Sequence, residues 1–289
     1  MSYLFLQALF ASLFGLLIKW VGNRNKDLPR EDIFVVGAIS YIASLAFSIP
    51  WFMQQETSEL MIGAAWTGGT MGAIYFVGYL FVTACIRWVG VTATTIVSVL
   101  SLLMPIVFAA FYWRESPTSV QVVGITLALV ALMMIGGKKG GMKAQRPWFT
   151  PIALFGFFVI CGSSRLMQDT FKRVSEAEFK PTFLLATFAV ASIPSLFLLI
   201  HSMGIKRRKL LLTEVLFGIG MGAANVLQSF FILKCLDGLP GFIVFPVTSA
   251  GAVLITTAVA TCVLDERLSK RTYVGVGITI IALLCLNWS

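Results

Sequence analysis

Arg165 and Asp169 stand four residues apart in the segment CGSSRLMQDTFKR, where an apolar run ends. A helix places residues at that spacing on one face. An arginine inside an apolar helix is costly, at least ~2.5 kcal/mol on insertion scales, and it usually faces a cavity or a partner. Two uses fit the pair. In one, Arg165 meets an anionic or zwitterionic solute while Asp169 orients it or takes a proton. In the other, the two form an internal ion pair and Arg165 snorkels toward the interface. Lys19 ends the first apolar run and faces the same choice between solute contact and snorkelling.

A second group is uncharged: Tyr75, Tyr79, Asn225, Gln228 and Ser229. The last three share one helical face by their three- and four-residue spacings. Amides and hydroxyls among apolar helices either bridge those helices or line a cavity. Ser98 and Ser249, with Ser101 and Thr248 nearby, are a third set. A hydroxyl can bond its own helix backbone, so helix glue is the plainer use of these serines. Gly68, Gly69, Gly72 and Gly78, and likewise Gly218, Gly220 and Gly222, allow close helix approach or a flexible wall beside a solute. Glu115 and Glu266 sit at run boundaries, where pairing with a neighbouring arginine or capping a first turn is the expected role.

Other chemistries have no residues to perform them. The chain has one histidine, His201, and five cysteines, all within apolar runs and without a CxxC spacing. No metal site, disulfide or cofactor is expected. There is no P-loop, hence no nucleotide hydrolysis. Without a polar catalytic cluster, an enzyme is not expected either.

The elements that hold these residues are read from ten stretches of 18 or more residues without Asp, Glu, Lys or Arg. They are 1–18, 33–55, 60–86, 88–113, 116–137, 147–164, 181–205, 215–233, 238–264 and 272–289. About 20 apolar residues form a helix long enough to cross a bilayer core. The runs are too continuous for the alternating strands of a barrel. Hydrophobic residues make up 58% and charged residues 12%, well below the charged share of about 25% in soluble domains. An all-α integral membrane protein with ten transmembrane helices follows. The net charge of +9 then belongs to loops and lipid headgroups, not to a nucleic acid. Trp20, Trp51, Trp88, Trp113, Trp148 and Trp288 fall near run ends, as an interfacial belt requires.

The chain is written twice. Gly68, Met71, Gly72, Ala73, Phe81 and Cys85 recur 150 residues later at Gly218, Met221, Gly222, Ala223, Phe231 and Cys235. After one inserted residue, Gly90, Ser98, Ala109, Glu115, Val123, Gly124, Ala131 and Leu132 recur at Gly241, Ser249, Ala260, Glu266, Val274, Gly275, Ala282 and Leu283. Each copy holds five runs. Five is odd, so the second copy enters the membrane inverted, a plan characteristic of secondary transporters with a midplane solute site. The expected organisation is a first five-helix repeat over 1–137, a basic linker over 138–147 and a second repeat over 148–289.

Pro105, Glu115 and Gly124 lie in the segment MPIVFAAFYWRESPTSVQVVGITLALVALMMIGG, which closes with Gly136 and Gly137. The segment resembles the end of an EamA domain of the drug/metabolite transporter superfamily. The second copy, TAVATCVLDERLSKRTYVGVGITIIALLCLN, resembles the same unit, with Thr256 where the proline would stand. The resemblance implies a carrier of a small metabolite working by alternating access. Small multidrug exporters related to the superfamily carry a first-span glutamate. No carboxylate lies between Met1 and Gly22, which disfavours proton-coupled efflux of cations.

Loop charge gives an orientation. Odd-numbered loops carry 16 basic residues and even-numbered loops 5, which puts both termini outside a cytoplasmic membrane. Several relatives place both termini inside, and the two readings stand side by side. The expected function is secondary transport of an anionic or zwitterionic organic metabolite such as an amino acid. A lipid or lipid-linked flippase is the alternative. The expected partners are the solute, the bilayer and, left open, a coupling ion. Monomer and homodimer both remain open.

Overall fold

A backbone with no water to bond must bond to itself, and in a single apolar segment only a helix does so. The computed structural model describes residues 2–24, 32–55, 62–88, 91–115, 117–136, 150–206, 210–262 and 270–286. The linker expected at 138–147 and Glu266 lie outside the described residues. Within the described residues the chain is all-helical: α1 (Ser2–Arg24), α2 (Asp32–Met53), α3 (Ile62–Trp88), α4 (Val91–Leu100), α5 (Leu103–Phe111), α6 (Ser119–Gly136), α7 (Thr150–Val174), α8 (Lys180–Lys206), α9 (Leu212–Gly238), α10 (Gly241–Cys262) and α11 (Lys270–Leu286). A 3-10 turn at Ala177–Phe179 leads into α8.

Five helices among the described residues are long and apolar enough to cross a membrane, those containing Phe34–Met53, Pro151–Val174, Lys180–His201, Leu212–Gly238 and Gly241–Val259. Shorter apolar segments lie at Ser2–Ile18, Val97–Phe111 and Ser119–Met134. Large apolar side chains stand exposed on these helices, among them Trp66, Phe111, Phe155, Ile193 and Phe197. Such a surface suits a lipid solvent rather than water. This is a multi-pass membrane protein.

The chain divides into two compact units, and each draws on both halves of the sequence. The first is Met1–Phe76 with Thr170–Asp237, and the second is Val77–Asp169 with Gly238–Ser289. Helices α3 and α7 therefore contribute their two ends to different units.

In the first unit α2 packs along α8. Ser192 Oγ of α8 donates to the Tyr41 carbonyl of α2 at 2.9 Å. The end of α3 in this unit closes on α8 through Gly72, where a Cβ would run into the Thr187 carbonyl. Gly222 closes α9 on α2 in the same way, where a Cβ would lie 2.7 Å from Ala43 Cβ and from the Ser40 carbonyl. Val36 and Met221 form a core with Phe14, Leu17 and Phe217 around them.

In the second unit α6 packs along α11. Gly124 of α6 makes room there for Cys285 and Leu286, each 3.0 Å from a Cβ at that position. Cys85, Ala153 and Phe157 are the buried centre of a second cluster. A capping box starts α6: Thr118 N donates to Gln121 Oε1 at 2.9 Å, and Gln121 N donates to Thr118 Oγ1 at 3.3 Å. Each bond satisfies a backbone donor that a helix start leaves open.

Candidate functional site

The fourth apolar run does not fold as one helix. Proline lacks an N–H, and its ring clashes with the carbonyl four residues earlier. Pro105 is buried at the start of α5, and the break between α4 and α5 falls at Ser101–Leu102. At this break Leu102 N bonds the Val99 carbonyl at 3.0 Å, three residues back instead of four. Ser98 would supply the carbonyl in a continuous α-helix. Its oxygen instead accepts from Ser101 Oγ at 2.7 Å and from Arg165 Nη1 at 3.2 Å. Arg165 also donates to Ser101 Oγ through a short hydrogen bond. Helix α10, by contrast, runs unbroken through Thr256. The break at Ser101–Leu102 gives Arg165 an acceptor.

Arg165 reaches that carbonyl because α7 comes close to α5. A Cβ on Gly162, one turn before Arg165, would lie 2.7 Å from Met104 Cβ and closer still to Met104 Sδ. The guanidinium is half-buried. A guanidinium carries five N–H donors and no acceptor. A partly buried cation beside a released carbonyl and a hydroxyl can hold the carboxylate or phosphate of a solute.

Asp169, on the same α7 face, goes to a different element. It is fully buried, and a Cβ on Gly241 would lie 3.1 Å from its Cγ and its Oδ2. Gly241 is the first residue of α10. A carboxylate at a helix N-terminus is favoured by the macrodipole. This placement gives Asp169 a role in seating α10.

Four of the uncharged candidates, Tyr75, Asn225, Gln228 and Ser229, lie in the first unit. Tyr75 Oη lies 3.4 Å from Ser229 Oγ, and the Tyr75 carbonyl accepts from Tyr41 Oη at 3.0 Å. The Tyr75 ring packs at 47° to that of Phe188, centroids 6.3 Å apart. On α9, Gln228 Nε2 donates to Asn225 Oδ1 at 3.0 Å. Asn225 and Ser229 are buried and Gln228 is half-buried. Asn225 and Gln228 thus meet on α9, while Ser229 faces Tyr75 of α3. Tyr79 belongs to the second unit and is half-buried, as is Ser249 on the unbroken α10. Lys19 lies in α1, but its side chain falls outside the described residues.

Two residues escaped the sequence reading. Tyr41 ties α2 to α3 and, through its carbonyl, to α8. Gln7 on α1 is 8% exposed, and its Oε1 has no hydrogen-bond partner among the described residues. Gln7 had a signal, since it is the one amide in the run 1–18.

Comparison with known proteins bears on what such an arrangement does. Residues 1–137 match the family model described as the EamA-like transporter family. A protein of Haemophilus influenzae, described only as uncharacterized, is 21% identical over 92% of this chain and 91% of its own length. A solved crystal structure superposes with a TM-score of 0.74 at 17% identity, covering 99% of this chain and 95% of the other. At that identity the likeness speaks to the fold alone.

Proposed function

Residues 1–137 belong to the EamA-like transporter family, within the drug/metabolite transporter superfamily, and from that premise we propose that the chain is a secondary transporter of an anionic or zwitterionic organic metabolite. Members of this family are transporters rather than enzymes. An amino acid is the solute we favour. The observation that carries the reading is Arg165 at the α4/α5 break, bonded to the Ser98 carbonyl and the Ser101 hydroxyl. Discontinuous helices that present unwound carbonyls are how secondary transporters build solute and ion sites. Arg165 is the group that recognises the solute's anionic end.

Ten spans arranged as two inverted repeats of five are part of the proposal. Helix α3 has 27 residues and α1 has 23, and a helix of about 20 spans a bilayer. Helices α4 and α5 together make one interrupted span. Each unit centres on a pair of repeat mates, α2 with α8 and α6 with α11. Such self-pairing supports a local two-fold relation between the copies. Alternating access in a cytoplasmic membrane, with both termini outside, completes the proposal.

The test is uptake into proteoliposomes of labelled amino acids and organic acids, run beside a headgroup-labelled lipid. Uptake of an anionic or zwitterionic solute supports the reading, and movement of lipid alone replaces it with a flippase. Arg165→Ala lowers uptake by about tenfold or more if the cation holds the solute, because a hydrogen bond to a charged group contributes about 1.5–3 kcal/mol. Equal uptake by the parent and the variant removes Arg165 from recognition.

A further inference from the structure

Helix α1 lies against α9 within the first unit. The rings of Tyr3 and Phe10 both stack on Phe231 of α9, with centroids 6.1 and 5.7 Å away. Gln7 is four residues after Tyr3 and three before Phe10, so it belongs to the strip of α1 that meets α9. Gln228 is three residues before Phe231 and donates to Asn225 Oδ1. Gln7 thus lies along the α1 strip that stacks on α9, and Gln228, bonded to Asn225, lies one turn before the ring it stacks on. The Gln7 oxygen is sealed from solvent and has no donor among the described residues. A buried acceptor left without a donor is unfavourable, and an apolar side chain of the same shape would avoid that penalty. A group retained under that penalty fits a function better than a fold.

We propose that Gln7, with the Asn225–Gln228 pair, is a subsite for a hydrogen-bond donor of the transported solute, an ammonium N–H or a hydroxyl. The inference rests on the carrier reading and adds a recognition element on the first unit. No carboxylate belongs to this trio, so the subsite selects for the donor and not for positive charge. The solute supplies the proton that the Gln7 oxygen lacks.

The experiment uses full-length protein in detergent and follows its melting temperature. A ligand that binds only the folded state raises it. The probes are the common amino acids, their 2-hydroxy acid analogues (a donor without a cation) and their N-trimethyl analogues (a cation without a donor). Gln7→Leu and Gln7→Met are compared with the parent, so one misfolded variant does not decide the result. The expected result has four parts. The empty variants melt at or above the parent. At least one amino acid and its hydroxy analogue stabilise the parent. The trimethyl analogue does not. Both variants bind that amino acid about tenfold more weakly, the loss of one donor–acceptor bond. Lower melting of both empty variants makes Gln7 a structural residue and overturns the proposal. So do equal stabilisation by trimethyl analogues, unchanged affinity in the variants, or no stabilisation of the parent by any donor-bearing probe, as when water alone occupies the seam. Proteoliposome uptake separates this from the carrier reading. Amino acids that bind without being carried sink the carrier and leave the subsite. Uptake that ignores Gln7 does the reverse.

Discussion

Lys180 Nζ lies 2.8 Å from Asp237 Oδ2, and each charge sits at the helix end whose dipole opposes it. Lys180 opens α8, where the macrodipole is positive, and Asp237 closes α9, where it is negative. Lys180 is 1% exposed while Asp237 is 35% exposed. Breaking a buried pair from one side leaves a charge uncompensated. Lys180→Asp alone should lower stability by about 2 kcal/mol, a figure reduced because Asp237 is partly solvated. The swapped pair, Lys180→Asp with Asp237→Lys, restores attraction and places both charges with their dipoles. It should melt at or above the parent in detergent. A double variant no more stable than the worse single one would show that neither the pairing nor the dipoles govern this site.

Pro105 controls the acceptor that Arg165 uses. In Pro105→Ala the α4/α5 break has no ring to enforce it, and Leu102 N–H can return to the Ser98 carbonyl. Arg165 then competes with the backbone for that oxygen. Solute uptake should fall by about tenfold, the loss of one charge-assisted bond, while the melting temperature does not fall. Installing a proline in α10, Thr256→Pro, should break that helix and lower the melting temperature. Full uptake by Pro105→Ala would separate the break from recognition.

Much of this was legible in the sequence for a physical reason. Apolar runs have one stable backbone solution in lipid, so the helices follow from composition alone. The amide face of α9 was legible because helical spacing is local, and Asn225 does meet Gln228. Arg165 announced itself by the cost of a cation in an apolar run. Its partner did not, because the Ser98 carbonyl becomes available only through a break set by Pro105, seven residues further on. Lys180 with Asp237, and Gln7 with the Phe231 seam, join residues far apart in sequence. No spacing rule reports such a contact. Asp169 shows the same limit, since periodicity put it on the face of Arg165 and gave no sign of Gly241.

The start of α6 offers a test that touches no solute. Thr118→Ala removes the bond to Gln121 N, and Gln121→Ala removes the return bond to Thr118 N. Each should cost about 1 kcal/mol, and the double variant less than the sum, because the two bonds fix one turn. Detergent melting curves measure this, and uptake by the surviving folded protein should be unchanged. Losses that add fully would mean the two bonds form independently.

Gly72 and Gly222 do the same work in one unit, bringing α3 onto α8 and α9 onto α2. A methyl at Gly72 would strike the Thr187 carbonyl, and a methyl at Gly222 would strike Ser40 and Ala43. Backbone cannot yield as a flexible side-chain tip can, so the helices must separate. The alanine variant of either glycine should lose about 1–3 kcal/mol, the range for overpacking a tight core. Gly15 and Gly277 are the controls, since a Cβ at either meets nothing within 4 Å. Their alanine variants should gain about 0.5–1 kcal/mol from helix propensity alone. Thermal melting of the four single variants separates close approach from propensity. If Gly72→Ala and Gly222→Ala gain stability as the controls do, the tight crossings are not real constraints on the fold.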